Sequence, residues 1–146
     1  MAITQAICNS FKKELAQGLH DFTTGTGHIF KVALYTNLAS LGADTTVYDP
    51  LNESVGAAYV AGGFDFTAAQ NITPQLSGSV AFWSWSVNPV WSASTIVARG
   101  ALIYNATSGN RAVAVLDFGA DKSSNNGTFT LLLPQNLVGS SVLRIL

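Results

Sequence analysis

The chain has 146 residues and a formal net charge of −1; 48% of its residues are apolar and only 10% are charged, with a mean hydropathy of +0.30. Globular domains carry about 25% charged residues, so the surface has to be made of uncharged polar groups or shared with other subunits. The seven basic residues are scattered, which excludes the electrostatic footprint of a nucleic-acid binder, and no apolar run approaches the ~20 residues of a membrane-spanning helix.

In chain order, Ile3, Ile7, Phe11, Leu15 and Leu19 recur every fourth residue, with Phe22 on the same stripe, and predict an amphipathic helix over about 3–19. Gly18 is its expected stop. Cys8, the single cysteine, excludes an intrachain disulfide framework. The opening residues lack the pattern of a signal peptide, so folding in a cytoplasm is expected. From residue 28 the period becomes strand-like. Strands are expected at 29–36, 45–48, 58–60, 64–67, 79–86, 95–104, 111–118, 128–133 and 142–146, the second and third of these short. This succession predicts one domain over 1–146: mainly β, an antiparallel two-sheet sandwich, jelly-roll-like, with one N-terminal amphipathic α-helix.

The hairpin around Ser108 allows a register test. A five-residue loop at 106–110 pairs Asn105 with Arg111 and sets Arg99 opposite Asp117. One face then carries Val97, Arg99, Ala101 and Ile103 against Val113, Val115 and Asp117. The other carries Ile96, Ala98, Gly100, Leu102 and Tyr104 against Ala112, Ala114, Leu116 and Phe118. Both faces are apolar, although antiparallel sheets commonly wet one. The small residues Ala98, Gly100, Ala112 and Ala114 leave room for a bulky neighbour such as Phe11, Leu15 or a Trp ring. Each face needs a cover from the opposite sheet, the helix or another subunit.

Chemical motifs are sparse. His20 and His28 flank the helix exit and read as surface or capping residues. There is no Gly-x-Ser-x-Gly elbow and no Cys–His pairing with family spacing. Asp117-Phe118-Gly119 has no other kinase element beside it. The loop 121–127 lacks the acidic spacing of a calcium loop. No enzyme, metal or cofactor is expected. Asn52, Asn71, Asn105 and Asn126 each open an Asn-x-Ser/Thr sequon, the by-product of Asn- and Thr-rich loops. Trp83, Trp85 and Trp91 fill a core or form a stacking platform; Trp91, with Tyr59, is the platform candidate.

Several stretches taken together (MAITQAICNSFKKEL, HDF, FKVALYT, YVAGG, ARGALIYN, NRAVAVLDFGADK and GTFTL) resemble a group of small virion structural proteins of tailed bacteriophages. The resemblance is strongest in the N-terminal segment and over 98–122, and weakest over 68–94. It implies a non-enzymatic part of a phage particle, located in the virion, with the major capsid protein or other virion proteins as partners and a homo-oligomeric state. Within that class a capsid decoration or cement protein is expected, with neither nucleic acid nor membrane as partner. The expected assembly interface comprises Ile7, Phe11, Leu15, Val97, Arg99, Ile103, Val113, Val115 and Asp117. The alternative is a receptor- or glycan-binding module on the tail or outer surface, which would use Trp91 and Tyr59.

Overall fold

Apolar residues over most of β7 (Val97–Asn105) and the first half of β8 (Arg111–Ser123) place this hairpin at the centre of the main sheet. The structure, a computed structural model, describes residues 2–146. Beside the hairpin lie β2 (Phe30–Tyr35) and β3 (Phe64–Phe66) on one side, and β1 (Ala6–Ile7) on the other. The sheet order is β1-β8-β7-β2-β3, antiparallel throughout. A smaller sheet joins β4 (Gln75–Ser77), β5 (Val80–Trp83) and β10 (Leu143–Ile145) in the order β10-β5-β4. Strands β6 (Val90–Ser94) and β9 (Gly127–Thr130) form a separate pair.

Both sides of the central sheet are covered from within the chain. On one side Phe30 stacks on Phe22 with ring centroids 4.4 Å apart, and Phe22 meets Phe11, Trp83 and Trp85. On the other, Tyr48 stacks on Tyr104 at 4.7 Å. A Cβ on Gly100 would lie 2.8 Å from the Ile3 side chain. Over Gly100 and Tyr104 the cover is therefore Ile3 and the 36–63 loop, in place of the helix or a Trp ring, and Ala114, opposite Ile103, has left the small floor expected there. Each buried aromatic ring is worth about 2–3 kcal/mol, so these covers outweigh any surface ion pair.

The helix α1 (Asn9–Ala16) is shorter than the 3–19 expected. Cys8 keeps an extended backbone, and its N–H donates to Val113 O at 3.0 Å, so the chain is still strand-bound one residue before the helix starts. Ile3 bridges to Leu41, and Ile7 pairs with Ala114 in β1. Gly18 ends the helix as expected: at φ +74° it allows Leu19 N–H to reach Glu14 O and Gly18 N–H to reach Leu15 O.

The strands expected at 45–48 and 58–60 do not form. Val47 makes a single bridge to Arg111, and Tyr59 lies in a turn. Strand β8 runs to Ser123, past the expected end at 118. Asn105 pairs with Arg111, but the register slips by one residue between Tyr104↔Ala112 and Ile103↔Ala114. Such a slip exchanges faces. Val115 and Asp117 therefore lie opposite Leu102 and Gly100, away from the face that the uninterrupted register gave them. A second irregularity follows Gly100, and Arg99 still meets Asp117, Nε to Oδ1 at 3.4 Å. With side chains 34% and 28% exposed, that pair contributes under about 1 kcal/mol.

Gly63 fixes where β3 meets β2. Its φ is +87°, and a Cβ there would fall 1.9 Å from Val32 O. Gly63→Ala is expected to destabilise the chain by about 3 kcal/mol or more in urea unfolding, combining left-handed strain with a backbone clash. Gly18→Ala has the same handedness but open space around it, and should cost only ~1–2 kcal/mol. Equal effects of the two substitutions would contradict the close approach at Gly63.

Candidate functional site

Helix α1 lies beside the edge strand β10, and between them runs a groove of about 340 Å³. Ile7, Phe11 and Leu15 line it from the N-terminal segment, and Trp83, Leu143 and Ile145 from the smaller sheet. Lys12 and Arg144 complete the wall. Neither cation has a carboxylate within 4.0 Å among the described residues. Lys12 donates to Asn9 Oδ1 at 3.2 Å, and Arg144 to Val138 O at 3.0 Å. The indole N–H of Trp83 is buried without a hydrogen-bond partner. All the polar side-chain groups of the wall are thus donors. Strand β10 pairs with β5 on one side only, so its other edge is unpaired.

The structure divides the residues expected at an assembly interface. Ile7, Phe11 and Leu15 come together in the groove. Ile103, Val113 and Val115 are fully withdrawn into the chain's own core and offer nothing to another subunit. Val97 is exposed, and Arg99 and Asp117 are half-exposed at the far end of the hairpin, away from the groove. The hairpin's two apolar faces are satisfied in cis, which removes the reason for assigning them to a neighbour.

Trp91 and Tyr59 do stand together, ring centroids 5.9 Å apart. Trp91, however, is only 7% exposed and packs edge-on against Phe64 and Phe129. The Tyr59 hydroxyl donates to Glu53 Oε2 at 2.6 Å and accepts from Leu34 N–H at 2.9 Å. They form a core contact rather than a solvent-facing platform. Asn71 and Asn105 are also buried, so two of the four sequons are closed to modification in the folded chain.

Two buried polar clusters escaped the sequence reading. In the first, Glu53 is buried and accepts from Tyr48 OH at 2.6 Å, Tyr59 OH at 2.6 Å and Gly62 N–H at 2.9 Å. Burial, with Glu53 adding to it, pushes both phenols up. This cluster fastens the long loop between β2 and β3. In the second, Asn105 Oδ1 accepts from the N–H groups of Thr107 and Ser108, which fixes its amide nitrogen as the donor to His20 Nδ1 at 3.0 Å and His28 Nδ1 at 2.9 Å. The His20 proton is therefore on Nε2, which donates to Glu14 Oε1 at 3.2 Å, while Arg111 donates to Glu14 Oε2 at 3.0 Å. His20 is 7% exposed, not the surface residue expected. Both of its ring nitrogens are engaged, so the cluster acts as a latch between helix, hairpin turn and sheet. An acid at helix position 14 and a histidine six residues on were the only sequence signals for it.

Among the described residues no three His, Cys, Asp or Glu side chains gather as a metal-binding group, and no helix is long and apolar enough to cross a membrane. No family model, curated protein or solved structure matches the chain.

Cys8 is buried, and burial together with the Glu14 carboxylate pushes its thiol up to about 11. A disulfide reagent at pH 8 should leave the native thiol unmodified and titrate one thiol after unfolding in guanidinium; rapid native reaction would contradict the packing around α1. Burial is the main cause that holds His20 below its ordinary value of 6.5. The unfolded chain then binds the proton more readily, so the latch contributes fully above about pH 6.5 and weakens as pH falls below it. Urea midpoints should drop from pH 7 to pH 5.5, with a shallower slope in His20→Gln. A midpoint that rises over that interval would contradict a neutral, buried His20.

Proposed function

We propose that the chain is a structural protein of a tailed-phage particle that binds the assembled head as a decoration or cement protein. The observation that carries this reading is the apolar groove between α1 and β10, on a chain with only 10% charged residues. A groove lined by Phe11, Leu15, Trp83 and Leu143 suits an apolar side chain of a neighbouring subunit in the shell. Its segment-wise resemblance to small virion proteins supports the same reading. As architecture, we propose that the β10-β5-β4 sheet, packed through Trp83, Trp85, Phe22 and Phe30, completes a two-layer, jelly-roll-like sandwich.

The mechanism would be differential burial. A side chain such as Leu or Phe seated in the groove contributes roughly 1.5–3 kcal/mol. Copies repeated over a shell add such contacts multivalently, and binding only the assembled state stabilises it by mass action. A receptor- or glycan-binding module has weaker support, since Trp91 and Tyr59 face the core.

Heads lacking the protein, incubated with it and sedimented, should carry it down and release their genome at a higher temperature. Ile145→Asp, at a half-exposed groove position, should reduce both effects. Failure to bind heads, or binding only to tails, would overturn the proposal.

A further inference from the structure

The polar side chains of the groove, Lys12, Arg144 and Trp83, are all donors, so its occupant should bring both an apolar side chain and a carboxylate. We propose that this occupant is the turn at residues 49–52 of a second copy of the chain, which inserts Leu51 into the groove and sets Asp49 against Lys12 and Arg144. The inference rests on reading the chain as an assembly component and identifies a contact between its own copies.

Charge distribution narrows the choice. Among the described residues, Lys12, Lys13, Lys122 and Arg144 have no carboxylate within 4.0 Å, and two of these four line this one groove. The exposed side-chain carboxylates without a cation are Asp21, Asp44, Asp49 and Asp121. Only Asp49 has an exposed large apolar side chain within two positions: Leu51, 71% exposed, and Val47. An isologous pairing of two β10 edges is disfavoured, because it would bring the Arg144 cations of both copies together.

The turn is also held ready. Asp49 Oδ1 accepts from Leu51 N–H at 2.9 Å, Tyr35 OH donates to Asp49 O at 2.7 Å, and Asn52 Nδ2 donates to Leu38 O at 3.1 Å. Asn52 O accepts from Thr36 N–H at 3.0 Å, and Asn52 itself sits at φ +63°. Leu51 is thus presented on a rigid support, which lowers the ordering cost of insertion. Tyr35, beneath the turn, and Phe30, on the groove side, differ by an odd number of positions along β2, so they point to opposite faces of the sheet. Turn and groove are different patches of one copy. The contact is head-to-tail and builds a ring or a filament.

Sedimentation velocity of the free protein over a concentration series tests this. The wild type should show concentration-dependent association that salt weakens. Leu51→Asp, Asp49→Lys, and the double variant Lys12→Glu/Arg144→Glu should each weaken it by about tenfold or more while leaving the circular dichroism spectrum unchanged. Mixing Asp49→Lys with Lys12→Glu/Arg144→Glu should restore association between the two, since the lysine of one then meets the glutamates of the other. A wild type that stays monomeric throughout, association indifferent to Leu51→Asp, or no recovery on mixing would each overturn the contact. Head binding by a monomeric wild type would leave the assembly reading standing while removing this one.

Discussion

Strands β7 and β8 present apolar side chains to both sides of the central sheet, and water has to be kept from each side. The rest of the chain is arranged around that requirement. On one side the aromatic rings of Phe11, Phe22, Phe30, Trp83 and Trp85 bring the helix and the smaller sheet together. On the other, Ile3 and the loop carrying Tyr48 close over Gly100 and Tyr104. With so few charged residues, burial rather than ion pairing sets this arrangement.

Buried polar groups decide how the covers are fastened. Glu53 gathers two phenols and a backbone N–H, so the loop between β2 and β3 needs no secondary structure of its own. Asn105 joins both histidines to the hairpin turn, and Glu14 ties His20 and Arg111 to the helix. A buried carboxylate with three donors is satisfied, whereas removal of one donor would leave part of that desolvation uncompensated. These clusters specify position, and the aromatic core supplies most of the stability.

The β-rich class, the hairpin with Asn105 opposite Arg111, and the glycine stop at Gly18 were legible in sequence. The helix start was not, for a periodic reason. A spacing of four serves one face of a helix, and also one face of a strand as twice two. Ile3 and Ile7 therefore extended the helical stripe while belonging to extended chain. The slip between Tyr104 and Ile103 left no glycine or proline to announce it, so Val115 and Asp117 were placed on the wrong face. Of the expected interface, Ile7, Phe11 and Leu15 were found together because their stripe does reach a groove. Ile103, Val113 and Val115 were not, because apolar character alone does not say whether the cover comes from the same chain. The His20 cluster depends on Asn105 and Arg111, which are distant in sequence, and Glu53 meets nearby partners in a loop with no regular period to place them on one side.

The groove between α1 and β10, whose polar side chains are donors, is an apolar surface that the covered core leaves open. The account ties assembly to that groove and not to the faces of the central hairpin. Hydrogen–deuterium exchange of the protein free and bound to particles tests this most directly. The account predicts that binding slows exchange in 7–15 and 143–145 and leaves the already buried centre of β7 unchanged. Protection confined to other surfaces, with the groove exchanging as in the free protein, would contradict it.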